Sequence, residues 1–598
     1  MLYKKTIRVL YVDLKAKKIR LEDREDLTKY LGGVGVAAKL LEENMHPELA
    51  PLDPAQPIVF AIGALSTIFP VLTKTAAMFI SPLTGELGES YAGGRMAMSM
   101  FLAGFDALVI YGRADKPVYL TISSNDVDFK DARTLWNDSK DSVGRIIRDN
   151  GGMAGGKRSI IRIGPAGENQ VSYACVTVDR YRHFGRLGLG AVFGSKHLKA
   201  INVVGDRSVP VENFKEYFKV YNDIFDKCVD TELMSKYHDL GTAINIEPLN
   251  AAGALPTLNM RQTSFEHADG ISGETFSELH LVRKMSCTGC PVGCIHIGQF
   301  RQAFADHGYE YETVSVAYDY ELIFALGTYL GLGDPRNVLE LIEDVEIAGL
   351  DAMSTGVALG WATEALEKGL VTLDETIVPL KFGSPREYRD AVRYIAWGKN
   401  EFYKNLGRGV KYASEIYGGE DFAMHIAGNE MPGYHTGYGS LCGAAVAARH
   451  SHLCNGGYSI DQGMKNGIAP VDEIVSALLS EEIERCMLNS LVICLFARKV
   501  YDRPTIISAF AAVGQEITDD ELTAIARRNY ATKLRIKKAL GFDLKNVRLP
   551  KRFFETPSMH GKLSEEIAYE ILMKYSERLV ELEEEMEKEM KAEAKSLD

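Results

Sequence analysis

The stretch SCTGCPVGC, Ser286 to Cys294, sets three thiols at C-x2-C-x3-C spacing. Tight turns at Thr288-Gly289 and Pro291-Val292-Gly293 let the three converge on one centre. No other cysteine lies nearby, so any fourth ligand has to return from elsewhere in the chain. Zinc usually takes paired C-x2-C motifs or histidines, and no second pair exists here. An iron–sulfur cluster takes a local group of cysteines plus a remote one. On the residues alone, three readings stand: an iron–sulfur cluster, zinc, or unligated thiols. The best remote candidate is Cys494, in the apolar segment NSLVICLF. Cys175, Cys228, Cys442, Cys454 and Cys486 are scattered and read as buried thiols. Clustered cysteines in a reducing compartment point to metal rather than disulfides.

The 598 residues exceed what one hydrophobic core can organise. A net charge of -13 argues against generic nucleic-acid binding. The start of the chain alternates apolar and polar residues and reads as two strands and a turn, not as a leader. The most apolar window, Ile58 to Ile80, is broken by Ser66, Pro70 and Lys74, and reads as buried strands and turns rather than a membrane span. The expected setting is the cytoplasm.

Four regions are expected: a β-rich domain over residues 1–205, helical domains over 206–415 and 416–562, and a charged helix over 563–598. On that last helix, Leu572, Tyr575, Leu579, Leu582 and Met586 form a 3-4-3-4 apolar seam. The seam suits either packing on its own chain or docking of a partner subunit or a second copy.

GGMAGGKRS, Gly151 to Ser159, fits G-x4-G-K but continues into a strand-like RSIIRIG with arginine at the Ser/Thr position, so it is a glycine turn and not a phosphate loop. Two other glycine-rich loops are better anion cradles. RHFGRLGLGAVFGSKHLKAI interleaves glycines with Arg182, Arg186 and Lys196. SPLTGELGESYAGGRMAM carries Arg95. Backbone N–H groups and cations in such loops hold phosphates.

SPLTG, AGG, LAGFDALVI, IGPAGEN, GRLGLGAVFGSKHLKAI, CTGCPVGC, GLDAMSTG and LPKRF, in this order, resemble the tungsten-containing aldehyde:ferredoxin oxidoreductase family from near residue 5 to about residue 555. The resemblance implies an α+β fold, with a β-rich pterin-cradling base followed by two mainly α-helical domains. It implies tungsten held by two pyranopterins (the bis-molybdopterin cofactor), a [4Fe–4S] cluster and a Mg2+ joining the pterin phosphates. The cluster ligands would be Cys287, Cys290, Cys294 and Cys494. The pterin signatures D-x-x-G-L-D and D-x-x-G-L-C appear as EIAGLD, with Glu346, Gly349, Leu350 and Asp351, and as NSLVIC, with Asn489, Ile493 and Cys494. Glu346 and Asn489 stand where the family has aspartate, and Asn489 brings no charge. Lys74 matches a phosphate-binding arginine and loses its bidentate geometry. The carbonyls of Tyr91 and His183 would ligate Mg2+. The two loops would contribute Ala92, Gly93, Gly94 and Arg95, and Arg182, Gly185 and Arg186.

The family's Y-E-x-x-W-A-L-G is matched by YELIFALG, which gives Glu321 as a general base toward water or bound aldehyde. Glu312 in YEYET is a weaker candidate. The family's R-G-x-C-H is matched out of register by RHSHLC, with His452 chosen and His450 in reserve. The resemblance implies oxidation of an aldehyde, with electrons passing through the cluster to a ferredoxin or a partner Fe–S subunit. Two alternatives come with it: the catalytic subunit of a tungsten-dependent benzoyl-CoA-type ring reductase, and an electron-transfer subunit that has lost tungsten.

Overall fold

The computed structural model describes residues 5–597 except 125, 153–155, 210, 212, 305–309 and 465–466. The β-rich base is two six-stranded sheets. In the first, β1 (Ile7–Asp13), β2 (Lys18–Arg24), β3 (Ile58–Ala61), β4 (Thr75–Ile80), β5 (Leu87–Ala92) and β6 (Ala107–Tyr111) run in the order β2-β1-β6-β3-β4-β5. In the second, β7 (Val118–Ile122), β8 (Val127–Asp131), β9 (Arg158–Arg162), β10 (Val176–Val178), β11 (Arg182–Phe184) and β12 (Leu198–Val204) run in the order β11-β10-β9-β12-β7-β8. Only the β1–β6 and β7–β12 pairings are parallel.

The two sheets share one core. Phe60 of β3 packs edge-on against Phe184 of β11, with ring centroids 5.4 Å apart. The opening strands form the expected hairpin, with β2 an exposed edge. The apolar window from Ile58 becomes β3, a turn region and β4, buried throughout the strands. Strand β9 begins at Arg158, immediately after Lys157, where a phosphate loop would open a helix. Lys196 does not join an anion loop; its Nζ is buried and donates to the Pro54 carbonyl at 2.7 Å.

Helices dominate after residue 213, with two departures, the smaller a two-stranded pair of His425–Ile426 with Asn429–Glu430. β13 (Leu281–Met285), β14 (Ile295–Ala303) and β15 (Tyr311–Tyr318) form an antiparallel sheet inside the region expected to be helical. The alternation of β13 is weak because that strand is largely solvent-facing, with no fully buried residue. This sheet has a purpose: the loop from β13 to β14 is the three-cysteine segment.

The terminal helix Glu565–Leu597 corrects the docking expectation. Leu572, Tyr575, Leu582 and Met586 are buried in the main core, and Leu579 is packed against it. Tyr575 meets Tyr530 of the helix Asp519–Ala539, hydroxyl to hydroxyl, at 3.0 Å. Ala568 and Ile571 are buried as well, which widens the seam into the broad stripe of a helix packed on its own domain rather than a coiled-coil edge. Among the described residues, no helix is long and apolar enough to cross a membrane.

Leu572→Ala should therefore cost about 2–5 kcal/mol and lower the thermal midpoint. Val580→Lys on the exposed side of the same helix should change stability by less than about 0.5 kcal/mol. Differential scanning calorimetry with mass measurement in solution checks both. A changed oligomeric mass with an unchanged midpoint for Leu572→Ala would return the seam to a partner.

Candidate active site

The β13–β14 loop is shaped by Gly289 and Gly293, whose φ values of 76° and 67° lie in the left-handed region. The Cys290 N–H donates to the Cys287 carbonyl at 3.1 Å and closes the first turn. The loop is anchored on the base, with Val71 N–H donating to the Gly289 carbonyl at 3.0 Å and Thr288 N–H to the Gly94 carbonyl at 3.1 Å. Gly93 is required here, because a Cβ would lie 2.4 Å from the Cys287 Sγ.

Cys494 arrives from the other side, just after the helix Val471–Ser490, through Val492 in left-handed backbone. Cys290 and Cys294 each lie within electrostatic range of Cys287 and Cys494. The pocket is apolar, with Leu72, Val292, Ile493 and Tyr501 around the sulfurs. Burial pushes the Cys294 thiol up to about 11 even though the Arg182 cation pulls it down. Among the described residues, no three His, Cys, Asp or Glu side chains close on a point that would hold a single ion. Three thiols from one loop and a fourth from a remote segment, within electrostatic range of one another, make the donor pattern of an iron–sulfur site.

Beside the thiols is a cavity of about 510 Å³ at the junction of the base with the helical parts. From the base, Lys74, Tyr91, Gly93, Arg182, His183, Gly185 and Arg186 line it. From the helical parts come Glu346, Leu350, Asp351, Asn489, Ile493 and Cys494. Ala92, Gly94, Arg95 and Gly349 do not reach it. Arg95 is exposed and gives its backbone N–H to Asp179 at 3.1 Å. Gly349 ends the helix Pro335–Ala348 at φ 75° and packs on the Gly164 backbone.

Glu346 is engaged rather than free: it pairs with Lys140 and lies 3.1 Å from His183 Nε2. Burial alone would raise its pKa, but His183 and Lys140 overcome that and hold it ionised. Asp351 caps the helix Ala352–Glu367 through Met353 N–H at 3.1 Å and Ser354 N–H at 3.3 Å, and accepts from Arg186 Nε at 3.0 Å. Two buried donors, Arg182 Nε and Arg186 Nη1, have no protein partner. A buried orphan donor is costly, so these two argue for an anionic or carbonyl-rich occupant. A phosphorylated pterin fits that donor set.

Glu321 and His452 meet on the cavity wall. Glu321, in the first turn of the helix Tyr320–Leu326, accepts from Gly433 N–H at 3.0 Å, and its Oε1 lies 3.2 Å from His452 Nε2. Burial pushes Glu321 up to about 8, against the pull of Gly433 N–H and Arg186. Burial, then Arg186, Arg449 and Arg485, drive His452 well below its ordinary value. The contact is therefore a neutral acid beside a neutral imidazole near pH 7, not an ion pair. His450 points elsewhere, held by Glu86 at 3.0 Å and Lys537 at 2.9 Å. Glu312 is exposed on β15, binds Gln302 at 2.9 Å and does not line the cavity. The sequence reading missed Tyr434, Tyr458, Tyr237, Phe496 and Arg498, which also line it. They sit in loops and helix ends with no periodicity to mark them.

Residues 9–205 match the profile of the aldehyde ferredoxin oxidoreductase N-terminal domain, and residues 219–580 that of domains 2 and 3 of the same family. The second match enters the terminal helix, which the motif resemblance had left outside. Tungsten-containing aldehyde ferredoxin oxidoreductases of Thermococcus kodakarensis and Pyrococcus furiosus are each 30% identical over 574 residues, 93% of this chain and 92% of theirs. The aliphatic sulfonate oxidoreductase WOR-like subunit of Pyrococcus furiosus is 28% identical over 443 residues, 70% of each chain. In fold, the chain resembles the active site complex BamBC of benzoyl coenzyme A reductase in complex with 1,5 dienoyl-CoA. The TM-score is 0.79 at 21% identity, covering 95% of this chain and 93% of that one.

Cys494→Ala should abolish the EPR signal of a reduced four-iron cluster or convert it to a three-iron type, with tungsten content unchanged. An unaltered spectrum would place the fourth ligand elsewhere.

Proposed function

The chain belongs to the aldehyde ferredoxin oxidoreductase family, a family of tungsten–pterin oxidoreductases with iron–sulfur centres, and from that premise we propose the reaction RCHO + H2O → RCOOH + 2H+ + 2e−. The observation that carries the proposal is the Glu321–His452 pair on the wall of a cavity that also holds unpartnered arginine donors and is lined by Cys494 of the thiol set. A bound tungsten–pterin supplies the two-electron redox chemistry, and an adjoining cluster supplies a one-electron path to a ferredoxin or a partner Fe–S subunit.

The chain's own residues bind, orient and move protons. Lys74, Arg182 and Arg186 neutralise phosphate. Asp351 and Asn489 offer acceptors and Ile493 a wall to the pterins; Glu346 acts mainly by fixing His183. The Tyr91 and His183 carbonyls are the proposed Mg2+ ligands. Cys287, Cys290, Cys294 and Cys494 hold the proposed [4Fe–4S] cluster. Gly433 N–H fixes one oxygen of Glu321, which leaves the other, beside His452, to take a proton from water or substrate. A carboxyl poised near 8 sits close to the working pH, where proton transfer is most effective.

Ring reduction of the benzoyl-CoA type called for a cysteine near the metal. Cys442 and Cys454, the two candidates beside the histidine region, do not line the cavity; the Cys442 Sγ faces the Ala568 carbonyl at 3.7 Å. Cys175 does line it, so the wall leaves the choice between the two reactions to experiment. Elemental analysis with a dye-linked aldehyde screen tests the proposal. Tungsten near one per chain with aldehyde turnover supports it, iron without tungsten supports a carrier, and tungsten without aldehyde turnover moves the reading to another substrate.

Glu321→Gln should keep tungsten and iron but lower kcat by about 10²-fold or more, the scale of a general base. In the parent enzyme, kcat should rise with pH through about 8 as Glu321 loses its proton, and the variant should lose that limb. The same shift makes folding weaker with rising pH. The unfolded carboxyl ionises near its ordinary 4.5 and the folded one near 8, so between these values the unfolded state binds fewer protons. Urea titrations at pH 5 and pH 8 should show stability falling with pH more steeply in the parent than in Glu321→Gln.

A further inference from the structure

Beyond Glu321 and His452 the cavity wall carries several aromatic rings. The Tyr434 ring lies 5.3 Å from His452 and stacks on Tyr458 at 4.4 Å with planes 21° apart. Tyr458 is within electrostatic range of Tyr237. The Tyr237 ring stacks on Phe496 at 4.3 Å with planes 7° apart. Two stacked pairs of rings thus line the cavity, one beside the proton-handling pair and one beside the exposed Lys236.

Two cations stand at its outer end. Lys236 is exposed, with its Nζ 5.1 Å over the Tyr237 ring. Arg498 is half-buried, within electrostatic range of Tyr237, and donates from Nη1 to the Leu495 carbonyl at 2.8 Å. Both line the cavity. Among the described residues, neither makes an ion pair with a carboxylate. The carboxylates on the cavity wall are committed further in: Glu346 to Lys140 and His183, Asp351 to Arg186, Glu321 to His452, and Asp319 to the start of the helix Tyr320–Leu326. The mouth is therefore cationic although the chain carries a net charge of -13.

Flat aromatic faces select flat ligands, and uncompensated cations at the mouth of a low-dielectric cleft draw in anions. A guanidinium with one edge pinned to backbone presents its remaining donors in a fixed fork that matches a carboxylate. Resting on the aldehyde-oxidising reading above, we propose that the substrate is an aryl aldehyde bearing an anionic group, its ring against Tyr434 and Tyr458 and its anion toward Arg498 and Lys236.

The test uses tungsten-loaded holoenzyme and three aldehydes: 4-formylbenzoate, 4-methylbenzaldehyde and cyclohexanecarbaldehyde. 4-Formylbenzoate should have the highest kcat/KM, above 4-methylbenzaldehyde by about tenfold or more, the return expected of a charge-assisted carboxylate contact. Cyclohexanecarbaldehyde should be the poorest. Arg498→Gln and Lys236→Gln should each shrink the ratio between the two aryl substrates, and Arg498→Lys should restore part of it.

Calorimetry gives a second readout that needs no turnover. Terephthalate should bind more tightly than 4-methylbenzoate, and Arg498→Gln should remove the difference. Equal kcat/KM for the charged and uncharged aryl aldehydes, or a preference that both glutamine variants leave intact, would overturn the proposal. If no aldehyde is oxidised while terephthalate still binds in an Arg498-dependent way, the aldehyde reading falls and the anion site stands.

Discussion

The Arg186 guanidinium lies where the β-rich base meets the helical parts. Its Nε donates to Asp351, its Nη2 to the Glu430 carbonyl at 2.9 Å, and its Nη1 faces the cavity without a partner. One side chain thereby joins the second glycine-rich loop to the first pterin signature and to the strand pair around Glu430. The same charge lowers Glu321 and His452. Removing one member of such a buried set costs about 3–5 kcal/mol, because the other charge is left uncompensated. Domain closure and proton affinity at the site thus share one electrostatic anchor, and the architecture cannot relax at this point without moving the chemistry.

The thiols impose the second constraint. Burial raises the Cys290 and Cys294 thiols, so these two stay protonated in the absence of a metal, and a centre bound there would displace their protons. The cations that act on Cys294 are Arg182 and Lys74, and both also line the cavity. Arg182 therefore couples two ligand sites: it touches the electrostatics of the cysteines and lines the cavity with an unmet Nε. The hairpin that carries three of the sulfurs is pinned to the base by backbone hydrogen bonds, so the relative position of cluster and cavity follows from the β-sheet, not from side-chain packing alone.

Much of this was legible in the residues because local rules applied. The cysteine spacing, the glycine loops and the helical periods each carry their own short-range pattern, and the β-rich base with helical continuation followed from them. Three things escaped. The β13–β15 sheet was hidden because β13 is half in solvent and shows little alternation. The terminal seam left packing on its own chain and docking of a partner both open, because a heptad pattern does not say whose core it fills. Arg95 and Glu312 carried suitable chemistry at suitable chain positions, yet exposure removes both from the cavity. His452 could be ranked over His450 only by alignment; the distinguishing fact is tertiary, since Glu86 and Lys537 claim the His450 ring.

The aromatic wall shows why substrate choice was the least legible layer. Its members come from separate segments: Tyr237 from the helix Glu232–Asp239, Tyr434 from a loop, Tyr458 from the helix Gly457–Gly463, and Phe496 from the turn after Cys494. None is paired with another in sequence, so no motif announces them. They are brought together by the same return of chain that delivers Cys494, two residues before Phe496. The residue that completes the thiol set and the residue that closes the aromatic wall therefore move as one segment. Any change in how that segment docks must move Cys494 and the Phe496 ring together, which ties the thiol set to the shape of the cavity wall.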